Sequence, residues 1–187
     1  ATVYASMQLL SYTNLKGSIG SVPGTTCIPL VVNPSLTGCQ YILSTIVQAS
    51  PVVSLVSSTL TPVKGVVSPI SAVQTGAFMK KPTSITVLVA NDGPTYNASG
   101  FPAGGGYSAV DTFSVDTSKI VPFNNQYTPW PTYNTLTATS SQGNSLILKV
   151  SMQCAQAGMF GPSCAMVKCV PIGSQFGSCQ DTSGNTY

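Results

Sequence analysis

General acid-base catalysis needs a side chain that gains and loses a proton near working pH, normally His, Glu or Asp. This chain supplies only Asp92, Asp111, Asp116 and Asp181, and it contains no His, no Glu and no Arg. A Ser or Cys nucleophile would lack an imidazole base, and a hydrolytic metal centre would lack its usual nitrogen ligands. Asp111-Thr112 has half the look of an aspartic-protease signature, but Phe113 stands where that motif has Gly, and no second copy exists. The chain is therefore expected not to be an enzyme. Calcium is the one cofactor these carboxylates raise: Asp111 and Asp116 lie close together with Thr112 and Ser114 between them, and Asp92 sits in a turn. Because Ca2+ takes about six to eight oxygens, several of them charged, any such site would be weak. The competing reading makes Asp92 a turn former and leaves Asp111 and Asp116 solvated. No other cofactor is expected.

The six cysteines are the second chemical resource: Cys27, Cys39, Cys154, Cys164, Cys169 and Cys179. An even number with four crowded near the end reads as a disulfide framework. Structural zinc would favour closely spaced pairs, often with His, and here only Cys164 and Cys169 are close. Disulfides imply an oxidising compartment. Asn97-Ala98-Ser99, in a Gly-rich stretch, adds one N-glycosylation sequon and makes Asn97 a candidate glycan carrier. An Ala1 start is what signal-peptide cleavage would leave, and no apolar run approaches the ~18 residues of a membrane span. A secreted, extracellular protein is expected.

The composition narrows the partners. Charged residues make up 6% of the chain, against about 25% in ordinary domains. The net charge of +3 comes from seven Lys and four Asp, and Lys80-Lys81 is the only basic pair. Nucleic acid is excluded on this ground, since its binding wants clustered Arg and Lys to neutralise phosphates. At 187 residues and 43% hydrophobic content, the chain is long and apolar enough to bury a core, which argues against disorder.

The elements that must position these residues are strands. Val3, Ala5, Met7 and Leu9 alternate with Tyr4, Ser6 and Gln8, the period-two pattern of a half-buried strand running from Val3 to Tyr12. Thr83 to Ala90 is a β-branched run that stops at the turn signal Asn91-Asp92-Gly93-Pro94. Leu146, Leu148, Val150 and Met152 alternate in a late strand leading into Cys154, and strands are also expected over Tyr41 to Val47 and Val52 to Leu60. Short strands broken by Gly and Pro predict an all-β fold, an antiparallel β-sandwich that is C2-like or jelly-roll-like. A shift to cysteine spacing near Ser151 divides the chain into a sandwich over 1–150 and a small disulfide-rich module over 151–187.

Met7-Gln8-Leu9-Leu10-Ser11-Tyr12-Thr13-Asn14, followed by Lys16-Gly17 and Cys27, resembles the start of the N-terminal C2-like domain of Notch ligands of the Delta/Serrate/Jagged type. Ile120-Val121-Pro122-Phe123 and Trp130-Pro131-Thr132-Tyr133 resemble later segments of that domain. The tail is similar to an incomplete DSL module: Leu148 to Cys154 resembles the strand into its first Cys, Phe160-Gly161 precedes the second, Cys169-Val170-Pro171 resembles the third, and Phe176-Gly177 resembles the Phe-Gly of its receptor-facing loop. The family's final cysteine pair, its doubled Cys and the Arg and Asp before the receptor-facing Phe are absent. The resemblance implies the pairings Cys154–Cys164 and Cys169–Cys179. With Cys27–Cys39, three disulfides between sequence neighbours are expected.

Trp130, flanked by Pro129 and Pro131, reads either as an interface aromatic or as core. Phe160 and Phe176, with Gly177, are the candidate partner-binding residues, because disulfide-held loops offer little core in which to bury them. Two functions follow. One is a recognition or adhesion protein whose partner is an extracellular or cell-surface protein. The other is a subunit of an extracellular fibre, matrix or coat that self-associates: scarce charge removes repulsion and edge-strand protection, and an exposed edge with an extended N-terminal strand could pair between subunits.

Overall fold

A computed structural model of the chain describes residues 3–29, 36–70, 73–120, 133–155, 159–160, 164–166, 168–169 and 179–180. Their strands are β1 (Val3–Thr13), β2 (Tyr41–Val47), β3 (Val53–Val56), β4 (Val66–Val67), β5 (Val73–Phe78), β6 (Ser84–Asp92), β7 (Thr95–Tyr96), β8 (Pro102–Gly104), β9 (Tyr107–Asp116), β10 (Asn134–Thr139), β11 (Ser145–Cys154), β12 (Met159–Phe160), β13 (Ala165–Met166), β14 (Lys168–Cys169) and β15 (Cys179–Gln180). Every ladder is antiparallel, and no helix occurs among the described residues. The fold is an all-β sandwich followed by a disulfide-bearing C-terminal region.

One sheet runs β10-β11-β1, with β5 and β4 sharing the far edge of β1; the other runs β3-β2-β6-β9. The alternation in β1 puts Val3, Ala5, Met7 and Leu9 into the core and leaves Tyr4 outside. Between Leu9 and Ser11 the register with β11 slips by one residue. Such a bulge reverses the phase, and Tyr12 instead of Ser11 turns inward, fully buried. Its ring meets Tyr41 edge-on at 5.1 Å and Phe113 at 5.9 Å, joining the two sheets. From β11, Leu146, Leu148, Val150, Met152 and Cys154 all enter the same core, so this strand passes through the 150/151 division without a break.

Three expectations need correction. β1 is not a free N-terminal strand available for pairing between subunits: along Val3–Gln8 it is already hydrogen-bonded to β11 on one edge and β5 on the other. The strand expected over Val52 to Leu60 shrinks to Val53–Val56, after which the chain returns only at Leu60 to bridge Tyr41. β6 does not stop at Ala90. Asn91 is buried, takes the Gln40 backbone N–H on its Oδ1 at 2.9 Å and gives its Nδ2 to the Gly93 carbonyl at 3.2 Å, so the turn residue serves as the last inward rung of the strand.

Turn chemistry is local and legible where φ is positive. Val63 and Val66 exchange both backbone hydrogen bonds around Lys64 (φ 51°) and Gly65 (φ 77°). This is a two-residue hairpin turn with both central residues left-handed, a conformation that matches strand twist and is easiest for Gly at the second position.

Candidate interaction surface

The C-terminal region is fixed to the sandwich by chemistry at the end of β11. Cys154 is bonded to Cys164, and both residues are buried as members of the sandwich core. Ten residues thus return to the point where they left, and β12 inside that loop pairs with β13 just beyond Cys164, Phe160 opposite Ala165. Next, β14 pairs with β15, setting Cys169 directly opposite Cys179. Directly opposed positions in an antiparallel pair bring Cα atoms to about 4.5–5.5 Å, within the range a disulfide spans. The Phe160 side chain, Phe176, Gly177 and Trp130 lie outside the described residues. The other disulfide, Cys27–Cys39, is likewise buried and ties the segment after β1 to the start of β2.

At the other end of the sandwich, about 34 Å away along ten strand residues, sits a buried polar cluster that sequence reading missed. Asp111 accepts hydrogen bonds from the Tyr12 hydroxyl, from Asn144 Nδ2 at 2.7 Å and from Gln142 Nε2 at 2.9 Å. The Gln142 and Asn144 donors come from the β10–β11 turn, so the carboxylate clamps that turn against β9 and β1. Burial, then the bond to Asp111 and its charge, push the Tyr12 phenol far above the ordinary range; burial and the same charge push up Tyr41. The signal was in the phase: Asp111, Phe113 and Val115 are spaced by two and all face inward.

This arrangement corrects the reading of Asp111 as solvated. Asp111 is 6% exposed and its oxygens are already engaged by three donors. Asp116 leaves the opposite face of the same strand and is exposed, its carboxyl held below the usual range by the Ser118 hydroxyl and backbone N–H. Asp92 is also exposed, at the end of β6 opposite Tyr107. The three carboxylates do not converge, and the described residues contain no group of three or more His, Cys, Asp or Glu placed to hold a metal.

No protein-family model and no curated protein matches the sequence. Solved structures do match in shape. The Drosophila C2-DSL-EGF1 structure is similar over 98% of this chain and 81% of its own, with a TM-score of 0.50 at 17% identity. The fold is C2-DSL-like. Human GIVD cytosolic phospholipase A2, solved with methyl gamma-linolenyl fluorophosphonate and terbium chloride, is similar over 86% of this chain with a TM-score of 0.50 at 10% identity. The chain spans only 18% of the phospholipase, and identities this low speak to the fold alone.

Proposed function

We propose that the chain is a secreted, extracellular recognition or adhesion protein that works by protein-protein contact and not by catalysis, its sandwich serving as scaffold for the C-terminal module. The observation that carries this reading is the Cys154–Cys164 bond inside the sandwich core. A short segment cannot bury much apolar surface of its own, yet here it is anchored to a rigid strand end, so aromatic side chains on it lose little entropy when they meet a partner. The C2-DSL-like fold and the disulfides, which persist in oxidising compartments, support the same reading. The Phe176-Gly177 loop is the contact we assign, to an extracellular or cell-surface protein.

The test is binding of the secreted, labelled chain to cell surfaces. Phe176→Ala is expected to leave the melting temperature unchanged and to weaken binding by about 2 kcal/mol or more, roughly 30-fold. Unfolding of the module by this change would show Phe176 to be core, and a wild-type chain that binds no cell surface would end the recognition reading.

A second reading, a self-associating structural subunit, is favoured by one surface. Across the outer face of β3-β2-β6-β9 run the rows Val56-Ser44-Leu88-Thr112 and Ser54-Ile46-Thr86-Ser114, with no charge in either. Only Asp116, in the neighbouring row, brings a charge to this end of the face, so little of the repulsion that keeps β proteins apart is left. Assembly would then use this face and not strand donation by β1. Size-exclusion chromatography across a concentration series distinguishes the two, since a monomer at every concentration rules the subunit reading out.

A further inference from the structure

We propose that Asn97 carries an N-linked glycan whose first sugar covers the exposed ring of Phe101. The inference rests on the extracellular reading above and adds a modification site to it. Asn97 lies in the tight connection between β7 and β8. Its carbonyl accepts the Gly100 N–H at 2.9 Å, Gly100 has φ 83°, and its own N–H reaches the Phe101 carbonyl at 2.9 Å. These are the bonds of a three-residue hairpin loop closed by a left-handed Gly.

The Asn97 side chain is oriented by its oxygen alone. Oδ1 accepts the N–H of Ser99 at 3.0 Å and of Phe101 at 3.1 Å, an Asx-type turn. Both bonds survive glycosylation, because the sugar is attached through Nδ2, and among the described residues no hydrogen bond engages that nitrogen. Ala98 and Ser99 are exposed, so the sequon stands at the surface. Tyr96 is opposite Pro102 and points into the protein at 1% exposure. The next pair outward, Asn97 and Phe101, therefore projects to the solvent side, with Cβ atoms about 5 Å apart. Phe101 is 67% exposed there. An apolar ring this exposed beside the attachment nitrogen offers its electron-rich face to the C–H face of the first sugar.

The co-reactant is a polyprenyl-diphosphate-linked oligosaccharide. A bond forms from Asn97 Nδ2 to the anomeric carbon, the bond from that carbon to the diphosphate oxygen breaks, the lipid diphosphate leaves with the electron pair, and one amide proton passes to base. The loop belongs to the same end as Thr13, since Thr26 bridges both Ser18 and Tyr96. A glycan there leaves the Cys154 end unobstructed.

The experiment is production of the full chain through a eukaryotic secretory pathway, followed by treatment with a glycan-releasing amidase. Expected are a mass loss, conversion of the amide at position 97 to a carboxylate, and absence of both in Asn97→Gln and Ser99→Ala, with modification kept in Ser99→Thr. A secreted, oxidised chain unmodified at Asn97 overturns the proposal while sparing the extracellular reading, and a chain that is not secreted or not oxidised overturns both. Glycan release is further expected to lower the melting temperature by about 2–4 °C in the wild type and not in Phe101→Ala. Equal loss in the two would show that the sugar does not cover Phe101.

Discussion

Replacing Asp111 by Ala is expected to lower the unfolding free energy by about 3 kcal/mol, or roughly 6–12 °C in melting temperature for a chain of this size. Two of the three donors on its carboxylate, the Tyr12 hydroxyl and Asn144 Nδ2, belong to buried residues and would be left without a partner. The third, Gln142, belongs to an exposed residue and can turn to water. Each buried orphan costs about 1–3 kcal/mol, while removing a buried carboxylate returns part of its desolvation cost, so the net lies near the middle of the combined range. Asp111→Asn keeps the shape but sets an amide N–H against donors, and about 2 kcal/mol is expected. Tyr12→Phe keeps the ring contacts to Tyr41 and Phe113 and costs about 1 kcal/mol. The sign of the coupling is the sharpest check. In the Asp111→Ala background, Tyr12→Phe removes an orphan and is expected to be neutral or stabilising. Urea denaturation followed by circular dichroism reads all four chains, and strictly additive losses would mean that the cluster does not act as a unit.

This cluster also marks where sequence reading ended. β1 as far as Leu9 and β11 as far as Val150 stand where period-two patterning puts them, because one face of each is packed and the other is not, and β2 stands over the expected Tyr41–Val47. β9 was passed over: Asp111 occupies an inward position between Val110 and Phe113, and a carboxylate on a core face reads as loop until its donors are known. Those donors come from residues 12, 142 and 144, and only the sheet pairing brings them together. The bulge at Leu10 is equally silent in composition, yet it turns Tyr12 inward and so creates the cluster. At the interaction surface, the resemblance named a pairing for Cys154 and Cys164 that the structure contains, while the burial of that disulfide in the sandwich core follows from packing and had no sequence signature.

Stability is expected to fall steeply above about pH 10, by roughly 2.7 kcal/mol per pH unit, through the phenols of Tyr12 and Tyr41. Tyr12 and Tyr41 are fully buried, and burial together with the Asp111 charge raises both above the value they have in the unfolded chain. A group whose folded value is raised contributes its full stability below the unfolded value, here about 10, and loses it as pH climbs further. Over that range the unfolded chain gives up two protons that the native chain keeps, and each contributes a slope of about 1.4 kcal/mol per unit. Between about pH 5 and 8 the curve should instead be nearly flat, since the chain has no His and no Glu to titrate there. Urea midpoints taken from neutral pH to about 12 give the slope, and phenolate absorbance gives the mechanism: Tyr12 and Tyr41 should ionise only as the protein unfolds. In Tyr12→Phe/Tyr41→Phe the alkaline slope should fall by roughly 2.7 kcal/mol per pH unit although the starting stability is lower. If the double variant unfolds with the wild-type slope, other groups drive the alkaline transition and the buried phenols do not.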